Sequence, residues 1–337
     1  MRINRTTAML ASAAVALGVA ACGGDEGGGG GGGSAGSESQ QDLQGTIQLD
    51  GSSTVFPFAQ AAAELFMGEN PGVQVVVGQS GTGGGFEAFC AGDIDISDAS
   101  REIDQEEVQA CEQNSIQFEQ LSVANDGISI VTNPALPIKC MTTDELSRLW
   151  ENDEVSNYSQ INPEFPDAPV SLYGPGSDSG TFEFFTETIN GEEGKTRTDY
   201  QASEDDNVLV QGVAGDKNGL GYFGFSYYEA NQDKLNLVAV DDGDGQCVPP
   251  SQEAIQNRTY EPLSRSLFMY PSDKALQRPE VRAFLEFVIN NNQEIAEAAQ
   301  IVPLTDQQKQ EALQTIEQLA SGAGGSGGSS SGGSSPE

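Results

Sequence analysis

The chain has 337 residues, of which 37% are hydrophobic, and its 15 Lys and Arg against 51 Asp and Glu give a net charge of −36 at pH 7. So acidic a chain lacks the basic surface that nucleic-acid binding requires, and we expect no nucleic-acid partner. The sequence contains no histidine, which excludes Ser-His-Asp and Cys-His hydrolases and histidine-ligated zinc sites.

Residues 1–21 have the features of an export signal. Arg2 and Arg5 form a basic start, residues 8–20 are apolar but too short for a stop-transfer helix, and Ala20 and Ala21 lead into Cys22. This order resembles the bacterial lipobox, which predicts cleavage before Cys22 and a lipid on its sulfur. A plain secretory signal peptide with a chance cysteine is the alternative. A lipid on Cys22 would anchor the protein to the outer face of the cytoplasmic membrane, in the periplasm or at the cell surface.

Segments rich in glycine and serine lie on both sides of the apolar part of the chain. Residues 22–44 are predicted to form a flexible tether, and residues 321–337 a disordered tail. Residues 45–320 remain, which is enough for two lobes with hydrophobic cores.

Besides Cys22 the chain has Cys90, Cys111, Cys140 and Cys247. An even number of cysteines in an exported chain predicts two disulfides, for which three pairings are possible. We favour Cys90 with Cys111, because each lies in a helical pattern beside the short strand DIDIS, and therefore Cys140 with Cys247. Zinc binding by the four cysteines is the alternative, although no C-x-x-C spacing supports it, and we predict no metal site.

Apolar strands alternate with helical patterns after the tether. The predicted strands are residues 46–49, 73–77, 94–97, 127–132, 170–173, 219–223, 235–240 and 267–270. The predicted helices are residues 58–67, 86–91, 106–113, 143–150, a helix from residue 179, 207–214, 226–232, 279–290 and 306–319. This alternation predicts an α/β fold with a parallel sheet between helices, and such sheets bind ligands at the carboxyl ends of their strands.

Three loops rich in glycine and hydroxyl groups each follow a strand and precede a helical pattern. Their sequences are GSSTVFP at 51–57, SGTGGGF at 80–86 and GPGSDSGTF at 174–182. A helix start presents free N–H groups and the positive end of the helix dipole, which suit an anion. Helix capping explains one such serine or threonine, but three loops of this kind are more than capping needs. We therefore predict an anion site where the loops meet.

The same segments resemble a known family. The motifs are GSSTVFP at 51–57, SGTGGGFEAFCAGDIDISDASREI at 80–103, GPGSDSGTF at 174–182, and SEDDNVLVQGV with GLGYFGFSYYEAN within 203–231. In this order they are similar to the phosphate-binding proteins that feed bacterial phosphate ABC importers, over nearly all of residues 45–320. The resemblance implies a two-lobed type II periplasmic-binding-protein fold, each lobe a sheet flanked by helices. Residues 45–125 and 265–320 would form lobe 1 and residues 126–264 lobe 2, with phosphate in the cleft between them.

The resemblance also assigns phosphate contacts. The matching positions are Ser53, Thr54, Val55 through its N–H, Ser80, Asp98, Ser179, Gly180 and Thr181. Many relatives place an arginine four residues before the serine of S-G-T, where this chain has Pro175. We predict that Arg101 replaces that arginine, and some relatives carry a Ser-Arg pair there, which would bring Ser100 into the site.

The residue types suit phosphate in particular. Phosphate keeps at least one proton at neutral pH, so a buried site must supply many donors and one acceptor. Hydroxyl groups, backbone N–H groups and arginine are the donors, and Asp98 is the acceptor. Sulfate has no proton to give, so it would leave the Asp98 carboxylate unpaired beside a like charge.

The sequence thus predicts a lipid-anchored receptor that binds inorganic phosphate and delivers it to the membrane permease of an ABC importer. We expect a monomer without cofactor or catalytic residues. One alternative is a receptor for another tetrahedral oxyanion, such as sulfate, molybdate or arsenate. The other is a secreted phosphomonoesterase with Ser179 or Thr54 as nucleophile, although no base beside the hydroxyl and no two-metal carboxylate cluster support it.

Overall fold

The computed structural model describes residues 43–320. The predicted leader, Cys22, the tether up to residue 42 and the tail at 321–337 lie outside the described residues. Within the described part of the chain we find no helix with the length and apolar character needed to cross a bilayer.

Strands and helices alternate along the chain, as the sequence predicts. The strands are β1 (Gly45–Gly51), β2 (Val73–Val77), β3 (Ile96–Ala99), β4 (Leu121–Thr132), β5 (Cys140–Thr142), β6 (Ser171–Gly174), β7 (Gln201–Ala202), β8 (Gly219–Gly224), β9 (Asn236–Asp241) and β10 (Ser264–Pro271). The helices are α1 (Phe56–Glu69), α2 (Thr82–Ala91), α3 (Gln105–Gln113), α4 (Thr143–Glu151), α5 (Gly180–Asn190), α6 (Asp206–Gly215), α7 (Phe225–Glu229), α8 (Gln252–Gln256), α9 (Asp273–Leu276), α10 (Pro279–Asn290), α11 (Asn292–Ala299) and α12 (Asp306–Ala320). A short 3₁₀ helix covers Tyr158–Gln160.

The strands form a mixed sheet in the order β2-β1-β3-β10-β4-β8-β6-β7, with β9 beside β4 and β5 beside β9. The prediction of a parallel sheet holds for β1 with β2 and β3, and for β6 with β8. It is wrong at the centre, where β10 runs antiparallel to β3 and β4, and β4 runs antiparallel to β8. Of these two long strands, β4 runs in the same direction as β3, and β10 runs in the opposite direction.

β4 changes partners along its length. Its first half, up to Gly127, pairs with β10, and its second half, from Ile128, pairs with β8 and β9. The predicted strand 127–132 begins six residues later than β4, and the predicted strand 267–270 begins three residues later than β10. Polar residues interrupt the apolar pattern at both strand starts, and among them Asp126 and Arg265 are direct cross-strand partners.

The buried apolar residues fall into separate clusters. The two clusters around Phe66 and Phe89 use only residues of segments 45–125 and 265–320. The clusters around Trp150 and Phe223 use only residues of segment 126–264, with Val302 as the exception. We propose on this basis that the first pair of clusters forms the core of lobe 1 and the second pair the core of lobe 2. The site residues discussed below come from both segments.

The structure contains two disulfides. One joins Cys90 in α2 to Cys111 in α3, and the other joins Cys140 in β5 to Cys247 beyond β9. The pairing that the sequence favours is confirmed, and these four sulfurs are not available as zinc ligands.

Candidate functional site

The first glycine- and hydroxyl-rich loop, residues 51–55, carries the chain from β1 into α1. Gly51 has a φ of 142°, and a Cβ at this position would lie 2.0 Å from the carbonyl oxygen of Asp98. The N–H of Ser52 donates to the same oxygen at 2.9 Å. Only glycine permits this conformation and this close approach, which holds the first loop beside Asp98 at the end of β3.

The second loop, between β2 and α2, lies against the first. The N–H of Gly81 donates to the carbonyl oxygen of Gly51 at 2.8 Å, and the N–H of Ser80 donates to Asp50 Oδ1 at 2.8 Å. The hydroxyl oxygen of Ser100, just beyond β3, lies 3.1 Å from that of Thr82 at the start of α2. Ser80 and Ser100 therefore lie at the strand edge that carries the first loop.

The third loop leads into α5 and packs directly on the first. Ser179 caps the helix by accepting the N–H of Thr181 at 3.2 Å. A Cβ on Gly180 would lie 2.1 Å from Thr54 Oγ1 and 2.8 Å from the backbone nitrogen of Thr54. A residue with a side chain does not fit there, so Gly180 is the point at which the third loop meets the first.

Arg265 joins the first and third loops. Its Nη2 donates to Thr54 Oγ1 at 2.8 Å and to the carbonyl oxygen of Gly180 at 3.2 Å. Its Nε donates to Asp126 Oδ2 at 3.1 Å, and the centre of its guanidinium lies 3.9 Å from the ring centroid of Phe184. Burial lowers the pKa of Arg265 and the charge of Asp126 raises it, but an arginine remains protonated in proteins. The result is a fixed, buried cation between the two loops.

Arg101, the arginine that sequence analysis assigns to the site, pairs elsewhere. Its two terminal nitrogens donate to the two carboxylate oxygens of Glu107, each at 2.8 Å, and this bond raises the pKa of Arg101. The side chain is 41% exposed. It lines a cavity of about 580 Å³ together with Ser80, Ser100 and Arg265. Arg101 thus lies at the wall of the same cavity as Arg265, and Glu107 holds the guanidinium of Arg101.

Asp98 is buried and lacks a partner. It is 1% exposed, and neither carboxylate oxygen has a hydrogen-bond partner among the described residues. Burial, followed by the charge of Asp50, raises the pKa of Asp98 well above its ordinary value. Side chains alternate along a strand, so Asp98 shares a face with Ile96, which packs in the cluster under α1. The carboxyl group is therefore an unused acceptor on the face of the sheet that α1 covers.

A second cavity, of about 340 Å³, lies on the other side of the contact between the loops. It is lined by Ser53, Thr54 and the three residues from Ser179 to Thr181. The hydroxyl of Ser53 also donates to Glu183 Oε2 at 2.8 Å. The first and third loops thus meet through Gly180, Arg265 and Glu183, whereas the second loop faces the larger cavity.

Three residues of the candidate site are not predicted from the sequence: Arg265, Asp126 and Glu183. Arg265 and Asp126 fell just outside the strands predicted from apolar patterning, and they are 139 residues apart in the chain. The ion pair between Arg265 and Asp126 could be recognised from the sequence only if both predicted strands were made longer to include the polar residues that precede them. Glu183 is the second residue after the S-G-T motif, and nothing in its spacing distinguishes it from an ordinary acid in the first turn of a helix.

The second cavity has an acidic wall formed by Asp126, Glu204 and Asp206. Burial, reinforced by the charges of Asp205, Glu204 and Asp126, raises the pKa of Asp206 to about 7. The folded protein therefore holds this proton more tightly than the unfolded chain does. The stability associated with that proton is fully present below about pH 4, the ordinary pKa of an aspartic acid, and is lost as the pH rises to about 7.

We expect Asp206→Asn to stabilise the protein at pH 8 but not at pH 4, since the variant removes a carboxylate that must ionise in an unfavourable place. The expected gain in unfolding free energy is about 1–2 kcal/mol at pH 8, after allowing for partial exposure of the side chain. Thermal unfolding across this pH range measures it. Asp153→Asn, on an exposed side chain outside the cavity, is the control. Parallel pH profiles for Asp206→Asn and wild type would contradict the prediction.

Residues 36–292 match the family described as PBP superfamily domain. Protein SphX of Synechococcus elongatus is 45% identical over 261 residues, which are 77% of this chain and 77% of that protein. Phosphate-binding protein PstS of Staphylococcus haemolyticus is 36% identical and covers 77% of this chain and 81% of its own. The crystal structure of a possible phosphate binding protein from Planctomyces limnophilus superposes with a TM-score of 0.77 at 41% identity, covering 82% of this chain and 99% of that one.

The fold is that of a type II periplasmic binding protein. The chain belongs to the PBP superfamily and, within it, to the family of phosphate-binding proteins that includes PstS. It is accordingly a solute-binding protein and not an enzyme, which sets aside the phosphomonoesterase alternative.

Proposed function

We propose that the protein is a lipid-anchored receptor that binds inorganic phosphate outside the cytoplasmic membrane and delivers it to the permease of an ABC importer. One observation above all supports this: the first and third loops, from different lobes, meet at the buried guanidinium of Arg265. The relatives named as phosphate-binding proteins support the choice of anion.

The proposed contacts follow from the chemistry of the loops. The N–H groups of Val55 and of the start of α5 are the donors, together with the hydroxyls of Thr54, Ser179 and Thr181. Arg265 supplies the cation, and the unpartnered carboxyl of Asp98 supplies the acceptor. Ser80, Ser100 and Arg101 line the larger cavity, where we propose that they meet the anion as it enters.

The proposed mechanism is closure of the two lobes over the ligand. Donors from lobe 1 and lobe 2 surround the anion together only when Gly180 lies against Thr54, so phosphate binds the closed form more tightly. A ligand that binds one form better shifts the population toward that form. A lipid on Cys22 would keep the receptor, as a monomer, close to the permease.

Calorimetric titration of ligand-stripped protein with phosphate and with sulfate tests this function. We expect wild type to prefer phosphate by at least about a hundredfold, because sulfate has no proton to donate to Asp98. Asp98→Asn should lower phosphate affinity at least about tenfold, because a neutral amide oxygen is a weaker acceptor for the P–OH proton than a carboxylate oxygen.

Asp93→Asn is the matched control, since Asp93 is exposed just before the same strand. Phosphate and sulfate affinities within a factor of ten of each other in wild type would contradict the proposed function. An Asp98→Asn variant that titrates like wild type would contradict the role of the carboxyl group.

A further inference from the structure

Two of the three hydroxyl side chains of the first loop, those of Ser53 and Thr54, are held by partners of opposite charge. Ser53 Oγ donates its proton to the carboxylate of Glu183 at 2.8 Å. Thr54 Oγ1 accepts a proton from the guanidinium of Arg265, also at 2.8 Å. A carboxylate can only accept and a guanidinium can only donate, so the direction of each hydrogen bond is fixed.

These directions determine what each hydroxyl offers a ligand. The single proton of Ser53 is used by Glu183, so its oxygen presents lone pairs, which accept from a protonated ligand oxygen and repel an unprotonated one. Thr54 keeps its proton and can donate it to an unprotonated oxygen. Neighbouring hydroxyls that look equivalent in the sequence therefore have opposite roles.

We propose that Glu183 is a positioning residue that fixes Ser53 as a hydrogen-bond acceptor and so makes the site selective for the monobasic form of phosphate. This inference rests on the proposed function. Asp98 and Ser53 would then be two acceptors, which match the two P–OH groups of monobasic phosphate. Thr54 and the backbone N–H groups match its two unprotonated oxygens.

The charges around the loops support the same choice. Arg265 is the one cation that contacts either loop among the described residues, and it is paired with Asp126. Glu183 adds a negative charge in direct contact with Ser53, and Asp98 adds a carboxyl group beside the first loop. Repulsion between like charges in a poorly hydrated site opposes a dianion more strongly than a monoanion. Dibasic phosphate and sulfate are both dianions.

The test is calorimetric titration of wild type and Glu183→Gln with phosphate and with sulfate, each at pH 6 and pH 8. Wild type should bind phosphate at least about fivefold more weakly at pH 8, where phosphate has lost its second proton. Asp206, whose pKa of about 7 lies in the same interval, is present in both proteins, so a difference between their pH dependences does not come from it. In Glu183→Gln the amide can donate to Ser53 and free its proton for the ligand. We therefore expect sulfate affinity to rise at least about tenfold, and the pH dependence of phosphate binding to flatten.

Glu187→Gln is the matched control for charge. Glu187 lies one turn further along α5, its charge also acts on Arg265, and it makes no hydrogen bond to Ser53 or Thr54. This variant should keep the wild-type preference for phosphate over sulfate. If it changes that preference as much as Glu183→Gln does, net charge and not hydrogen-bond direction sets the selectivity, and the proposal fails.

Ser53→Ala supplies the second check. Because Glu183 is proposed to act through Ser53, adding Glu183→Gln to Ser53→Ala should produce no further change in selectivity. Thermal unfolding of each variant confirms that it is folded. If wild type binds phosphate but Glu183→Gln has the same selectivity as wild type, this inference alone is overturned. If wild type does not bind phosphate, the proposed function is overturned.

Discussion

Replacing Arg265 by methionine is expected to lower phosphate affinity by at least about two orders of magnitude. The change removes the cation and the two hydrogen bonds from Nη2 that join Thr54 to the carbonyl of Gly180. Hydrogen bonds to charged groups contribute about 1.5–3 kcal/mol each, and about 1.4 kcal/mol corresponds to a tenfold change in affinity. Calorimetric titration with phosphate measures the effect.

The same change should also destabilise the fold, and a second variant separates the two effects. Asp126 has a side chain that is only 8% exposed, and without Arg265 its charge is buried and unpaired. Breaking such a pair costs about 3–5 kcal/mol, whereas replacing both partners by apolar groups does not. We therefore expect Arg265→Met/Asp126→Leu to recover most of the unfolding free energy and none of the phosphate affinity. Recovered affinity would show that Arg265 only supports the fold.

Arg101→Ala is the matched comparison, because it removes another arginine from the wall of the larger cavity. The guanidinium of Arg101 is held by Glu107 and makes no hydrogen bond to the first or third loop. We expect a loss of about tenfold in phosphate affinity, smaller than the loss for Arg265→Met. The reverse order would return the role of site arginine to Arg101, as we predict from the sequence.

Most of the fold could be predicted from the sequence, because its signals are local. Most of the long helices and strands are predicted from apolar periodicity and from glycine and proline at strand ends. The predicted bounds of α10 agree with the structure. The centre of the sheet could not be predicted in the same way. Both β4 and β10 carry polar residues in their first halves, among them the cross-strand partners Asp126 and Arg265, and the burial of this pair depends on a pairing between distant parts of the chain.

The candidate site likewise has a part that local sequence signals reveal and a part that only the fold brings together. The three loops are short motifs at helix starts, so the sequence alone brings them to attention. Arg265 enters the site because β10 places it opposite Asp126 and under the third loop, which no spacing in the sequence reveals. The contact of Ser53 with Glu183 likewise exists only where the loops of the two lobes meet.

The second large effect is expected from Gly180→Ala, which should lower phosphate affinity at least about a hundredfold while the protein remains stably folded. The added Cβ would lie 2.1 Å from Thr54 Oγ1, a distance that no relaxation of one side chain accommodates because the backbone nitrogen of Thr54 is also only 2.8 Å away. The first and third loops must then separate, and the donors of the two lobes no longer surround one anion. Alanine suits the first turn of a helix, so lobe 2 itself should lose no stability.

Gly83→Ala is the control that distinguishes blocked closure from a general effect of alanine at a helix start. Gly83 lies in the first turn of α2, and a Cβ there would contact only the end of Arg101, at 4.0 Å. We expect this variant to bind phosphate like wild type. The rise in unfolding temperature that phosphate causes reports the same difference, because a ligand stabilises the folded state in proportion to the logarithm of its affinity. That rise should be retained in Gly83→Ala and nearly lost in Gly180→Ala; equal rises in both variants would mean that the two loops need not touch for phosphate to bind.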